Sequence, residues 1–504
     1  EGLNVLASAD GYISRIRIAH WGYGKALYIT HSNGYTTVYG HLQKFSDRIE
    51  AYIKKQQYKN ESFEVQAYPS ASELPIAKGE IIALSGRTGG FMGPHLHFEI
   101  RDSSTEKTIN PFLFGFQISD SKRPTINTLV GYSLDAESQI NQVNTPLQLS
   151  FKKLNNGDLL ANKINAFGKI GFGVNAYDQL DNAINQNGLY SLELYVNGEK
   201  FHEFKASVLA FSEDKYINLL VDYERLDKIG QRIQKCFIEP SNKLNMYATS
   251  ANNGYLTIED QKSYNIEIIA KDFNGNTQKI SIPVTGKKDS ILVRKTETVT
   301  PYRVIAAKFN EFSKNGVTVA FPKNTFYEDL WLDFEVEESV AKVHSPNVPI
   351  HYNYTITFDV SNYSEAEKKQ LYIASINKKG NKSYESTVKK DSIFYASTKK
   401  LGKFTLLSDN DAPNIQLHNF KNDQWITNHE TLKVKIFDYK SGINTYRAEI
   451  DGQWILMEYD VTTGVLTFDF KDKSFTDSKH ELKVTVTDNV GNTNTLNATF
   501  FRKI

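Results

Sequence analysis

Apolar and polar residues alternate with a period of two along most of the chain. Tyr264–Ala270, Val317–Phe321, Leu330–Val336, Tyr354–Val360, Leu432–Asp438 and Leu482–Asp488 all read this way. Alternation puts every second side chain on one face of an extended segment, which predicts half-buried strands and an all-β fold. One stretch has a different period. Phe45, Ile49, Tyr52 and Ile53 recur at spacings of three and four, so 45–58 is expected to form an amphipathic helix with Ser46 as its N-cap. An alternating strand from Ser62 to Tyr68 follows, and the sheet resumes after Pro75 to Gly79.

Two stretches repeat the same order of elements, one opening at Pro124 and the other at Pro413. In each, strands ending in Asp178 and Asp438 lead to a second strand pattern, and each closes on Asp-x-x-Gly-Asn: Asp272 to Asn276, and Asp488 to Asn492. Glycine and asparagine tolerate left-handed dihedrals, so this turn suits a hairpin. Several such strands with turn signals predict immunoglobulin-like β-sandwiches over 117–288 and 409–504. Residues 289–408 lack the Gly-Asn signature and read as a second sandwich type, with a hairpin tip around Lys378, Lys379 and Lys382 taken as a solvated edge. The Asp272 and Asp488 turns are rich in oxygen ligands of the kind hard cations prefer. Asp and Asn are equally the ordinary residues of turns.

Composition narrows the partners. The 504 residues carry 59 Lys and Arg against 58 Asp and Glu, so charge gives no reason to expect nucleic-acid binding. Aromatic residues reach 12%, with 28 Tyr and 30 Phe, as suits strands rather than helical bundles. Cys236 is the one cysteine and permits no internal disulfide, so packed cores must hold the fold. No run approaches the roughly eighteen apolar residues that span a bilayer, and no secretion leader opens the chain.

The chemistry lies near the start. In Gly93-Pro94-His95-Leu96-His97-Phe98-Glu99-Ile100, two histidines two apart on a strand project their rings to the same side. Gly79 to Ser85 reads as a strand, and Gly86-Arg87-Thr88-Gly89-Gly90 as a turn that feeds the histidine strand. Gly34 to Leu42 places His41 at a strand end.

Over residues 1–116 these segments resemble the lysostaphin-type (LytM-domain) zinc endopeptidases. The resemblance implies cleavage of peptidoglycan peptide cross-bridges in the bacterial cell envelope, in the periplasm. In that family a His-x-x-x-Asp motif supplies two zinc ligands and the second histidine of His-x-His the third, a position matched by His97. His95 and His41 match the positions that hold the catalytic water and stabilise the oxyanion, roles a tetrahedral intermediate requires. None of the eleven histidines here is followed by Asp four positions on. Glu1 to Ile13 is similar to the family strand that follows His-x-x-x-Asp, so the resemblance implies those ligands just before Glu1. Zn²⁺ is expected only with them, since one histidine cannot hold the ion. The alternative is a noncatalytic LytM-like module, or a structural subunit of an envelope or outer-membrane protein complex that docks through the sandwiches. His20, His31 and the six histidines from His202 onward are read as ordinary.

Overall fold

The computed structural model describes residues 1–90 and 93–503, and it is 47% strand and 9% helix. The all-β expectation holds. The chain divides into two compact units: one joins 1–106, 357–396 and 404–504, and the other joins 107–356 and 397–403.

In the first unit the head is built from β1 (Asn4–Leu6), β2 (Gly11–Ile18), β3 (Lys25–Thr30), β4 (Tyr35–Gly40), β5 (Leu42–Phe45), α1 (Asp47–Asn60), β6 (Val65–Ala67), β7 (Pro75–Ile76), β8 (Ile81–Ser85) and β9 (His97–Asp102). Strands run in the order β9-β4-β3-β2-β6, with β7 also on β2, while β1, β8 and β5 form a separate antiparallel layer. Ile13, Ile16, Leu27, Ile29 and Tyr39 from the larger sheet meet Leu42, Ile82 and Ala83 in one core. Helix α1 buries Ile49 and Ile53 against it, as the spacing predicts. Ser46 occupies the N-cap position but makes no side-chain cap bond. Glu50 takes the nearby backbone donor instead, accepting from Phe45 N at 3.1 Å. Strand β6 is shorter than expected, with only Val65 to Ala67 paired to β2.

The last hundred residues share this unit. Thr431–Phe437, Val465–Asp469 and Glu458–Asp460 belong to one sheet, and Lys479–Asp488, Thr493–Phe501 and Ile443–Ile450 to another, over a core of Leu432, Val434, Ile450, Phe468, Val484 and Phe500. This sandwich packs on the head. Lys25, only 3% exposed, reaches Glu458 at 2.8 Å. Burial alone would lower its pKa, but Glu458 and Glu50 outweigh that and hold it raised. Lys54 pairs with Asp472, Arg87 with Asp460 at 3.2 Å, Arg447 with Glu61 at 2.7 Å, and Tyr58 meets Trp454 edge to face. The hairpin around Lys378 is present, with Ala374 opposite Tyr384.

The second unit holds the first repeat. Ser263–Lys271 and Thr277–Gly286 pair along their length around the Asp272 turn, and Ile268, Ile280, Phe172 and Leu194 lie in a core that extends to Leu256. Residues 330–336 do not form one strand. Leu330–Trp331 pairs with Arg303–Val304, whereas Phe334–Glu337 pairs with Val340–Val343. Between them Leu332 is fully buried and donates its amide to Tyr302 O, so the alternation survives in burial while the pairing changes partner. Among the described residues no helix is long and apolar enough to cross a membrane.

Candidate active site

The backbone brings the three motif histidines together. Strand β9 pairs with β4 so that His97 lies opposite Gly40, where a Cβ would sit 3.3 Å from that of His97. His95 precedes β9 and bridges Gly86, donating its amide to the Gly86 carbonyl at 3.0 Å. His41 turns the corner between β4 and β5 at φ 57°, an uncommon conformation for a non-glycine residue and one that often marks a functional site. The ring centroids of His41 lie 4.6 Å from those of His95 and 5.7 Å from those of His97.

The rings of His41 and His95 are both anchored at Nδ1. His41 Nδ1 lies 2.8 Å from Thr88 O, and His95 Nδ1 3.0 Å from Gly93 O. A carbonyl only accepts, so Nδ1 carries the proton in both and Nε2 is the acceptor nitrogen of the neutral ring. Burial holds the His41 pKa below its usual value; the Thr88 carbonyl opposes this, and His95 and His97 reinforce it. Thr88 is itself fixed, its hydroxyl donating to Leu42 O and accepting from Lys25 N.

His97 is oriented the other way. Its Nε2 lies 2.6 Å from Glu99 Oε1, leaving Nδ1 as the nitrogen for a metal in the carboxylate–histidine arrangement typical of metal ligands. Glu99 also accepts from Arg101 Nε at 2.7 Å and from the Tyr23 hydroxyl, and the Tyr23 ring stacks on His97 at 4.7 Å. Burial raises the Glu99 pKa, but these three hydrogen bonds outweigh it and pull the carboxyl down to about 2. Tyr23 moves the opposite way, raised by burial and by the Glu99 carboxylate.

Sequence reasoning missed Tyr23, Glu99 and Arg101 as parts of this site. The signal for two of them was present: His97, Glu99 and Arg101 alternate along β9 and so share one face. Trp21, 64% exposed, and Val461 from the last sandwich approach Gly90, at 2.7 and 3.8 Å from where a Cβ would lie.

The donor set tests the implied metal. His97 fits a zinc ligand, held and aimed by its carboxylate partner. It is one donor, however, and among the described residues the triads of His, Cys, Asp or Glu close enough to share an ion are two groups of aspartates that include none of these histidines. The residues present therefore offer one donor suited to the metal that the family implies, and they do not complete a ligand set.

The model of peptidase family M23 matches residues 1–58. The head is an M23, LytM-type peptidase domain. It is 34% identical over 111 residues to the DD-carboxypeptidase/endopeptidase Mpg of Neisseria meningitidis serogroup B, covering 22% of this chain and 20% of that protein. The cell division protein DipM of Caulobacter vibrioides is 28% identical over 107 residues, covering 21% of this chain and 14% of that protein. The chain thus spans about a fifth of the length of the first curated relatives it matches. A crystal structure of a catalytic-domain variant of the prophage-encoded M23 protein EnpA from Enterococcus faecalis shares 18% identity, covers 23% of this chain and 72% of its own, and has a TM-score of 0.17. A Zu5-like domain model matches residues 302–409.

Proposed function

We propose that the M23 head is a zinc-dependent endopeptidase of the bacterial cell envelope, acting in the periplasm on the peptide cross-bridges of peptidoglycan. The observation that carries this reading is the convergence of His41, His95 and His97, with His97 locked by Glu99, Arg101 and Tyr23. His97 Nδ1 contributes one ligand, and zinc binds when a His-x-x-x-Asp pair completes the set. Zinc in such a site polarises a scissile carbonyl and lowers the pKa of water. Nε2 of one of the His41 and His95 rings would accept the proton of the attacking water as its oxygen bonds to the carbonyl carbon, and the imidazolium so formed would donate that proton toward the tetrahedral intermediate while the other ring helps hold the water. The lowered pKa of His41 keeps its ring neutral in the resting state.

The incomplete ligand set among the described residues favours a second reading, a noncatalytic LytM-like module of an envelope complex. Incubating purified peptidoglycan with protein that contains both motifs separates the two. The peptidase reading expects new peptide amino termini, lost in His95→Ala and His97→Ala. Absence of cleavage by zinc-loaded protein would leave the noncatalytic module.

A further inference from the structure

The two repeats each gather three aspartates at one place in their own unit. In the first repeat these are Asp120, Asp178 and Asp272; in the second they are Asp409, Asp438 and Asp488. The correspondence is positional. Asp120 and Asp409 each stand four residues before the opening proline, Asp178 and Asp438 end a strand pattern, and Asp272 and Asp488 begin the Gly-Asn turn. The supporting hydrogen bonds correspond too. Asn276 Nδ2 donates to Asp272 Oδ2 and to Asp120 O, and Asn492 Nδ2 donates to Asp488 Oδ2 and to Asp409 O.

The triads differ in how their carboxylates are satisfied. Asp409 Oδ2 accepts from the Ser441 amide, a bond that has no counterpart at Asp120 among the described residues, and the member that ends the strand pattern differs as well. Asp438 Oδ1 accepts from the amides of Lys440 and Gly442, so its own turn satisfies that oxygen. Asp178 is only 5% exposed, and its Oδ1 is buried with no hydrogen-bond partner. Its backbone is fixed by reciprocal bonds with Asn187, at 2.9 and 2.8 Å, so the carboxylate is held in place rather than satisfied. Leaving a buried carboxylate oxygen unpaired is costly, and two further carboxylates beside it add repulsion. Burial, with Asp120 and Asp272, pushes the Asp178 carboxyl up to about 6, although the Gln179 amide and Lys122 oppose this. A bound cation would remove the cost on both counts.

The distances fit one. A carboxylate oxygen from each of the three residues lies within 4.8 Å of the others. Oxygens bound to one Ca²⁺ at about 2.3–2.6 Å can stand no more than about 5 Å apart. The ligands are all oxygen, with no histidine or thiolate, which selects a hard cation over zinc. We propose that Asp120, Asp178 and Asp272 form a Ca²⁺ site, which ties the segment entering the first repeat to the ends of two of its strands. This site is separate from the M23 site and does not depend on the reading given to it.

Calorimetric titration of the chelator-stripped full chain with CaCl₂ alone tests the proposal, with Asp178→Asn, Asp120→Asn, Asp438→Asn and His97→Ala as variants. The wild type is expected to bind Ca²⁺ and to unfold at higher temperature with it. One equivalent should be lost in Asp178→Asn and in Asp120→Asn, and that equivalent should persist in Asp438→Asn and His97→Ala. Because Asp120 is half-buried, its Asn variant keeps the test open if Asp178→Asn misfolds, as circular dichroism will report. No Ca²⁺ binding by the wild type into the millimolar range, or an unchanged count in folded Asp178→Asn or Asp120→Asn, would overturn it.

Discussion

Glu99 in the head and Asp488 in the last sandwich are both buried carboxylates, 8% and 0% exposed, yet they are satisfied in opposite ways. Asp488 accepts from the amides of Val490, Gly491 and Asn492 and from Asn492 Nδ2, all within its own turn. Glu99 accepts from Tyr23, His97 and Arg101, side chains of which the first lies 76 residues away. A carboxylate bonded to its own backbone shapes a turn. One bonded to side chains, here two neighbours on its own strand and the distant Tyr23, fixes the rings and charges that surround it and sets which nitrogen of His97 its carboxylate engages.

The strongest way to break this contrast is Glu99→Ala. It leaves the buried Arg101 without the carboxylate that meets its Nε, and it frees the His97 ring. A loss of about 3 kcal/mol in stability is expected by chemical denaturation, with zinc affinity or hydrolysis down roughly 10–100-fold where the ligand set is complete. Glu99→Gln keeps the shape but turns an amide NH₂ toward one of these donors, so it should cost less stability than Glu99→Ala while still losing zinc affinity. Asp488→Ala should also cost stability, about 2–3 kcal/mol, because it orphans several turn amides. Rates of hydrolysis, measured below its melting temperature, should not change.

Gly89→Ala probes the support of His41. Gly89 has φ 92°, and a Cβ there would lie 2.1 Å from Gly22 O. The turn must shift and carry with it the Thr88 carbonyl that holds His41. About 2 kcal/mol of stability should be lost, and the rate of hydrolysis should fall with little change in KM.

The smallest effect concerns acid. The Glu99 pKa is depressed in the fold, so its contribution to stability is fully present above the ordinary value of 4.5 and is lost as pH falls toward about 2. Melting temperatures of the wild type and of Glu99→Gln should therefore converge between pH 5 and pH 2. A gap that stays constant over that range would mean the carboxylate charge is not what the three donors hold.

The histidine strand and the Asp turns were legible in the sequence because both are local. Alternation along His97 to Arg101 and the Asp-x-x-Gly-Asn spacing each fit within six residues. Helix α1 was legible for the same reason, from Ile49 and Ile53. What stayed hidden depends on sheet order. Tyr23 reaches Glu99 only once β3 and β4 have brought β9 alongside, and Asp120 and Asp178 join Asp272 across more than ninety residues. The break at Leu332 was hidden because burial alternates cleanly through it while the hydrogen bonds change partner. Nor does alternation alone reveal that Glu458, Asp460 and Asp472 of the last sandwich would meet Lys25, Arg87 and Lys54 of the head.

Zinc content, measured by elemental analysis on protein whose N-terminal sequence is read in the same sample, tests the central claim most directly. With His-x-x-x-Asp present, about one zinc per chain is expected, lost in His97→Ala and weakened in Glu99→Gln. Zinc that is absent from such protein, or that persists undiminished in His97→Ala, would contradict the assignment of His97 as a metal ligand and the peptidase reading with it.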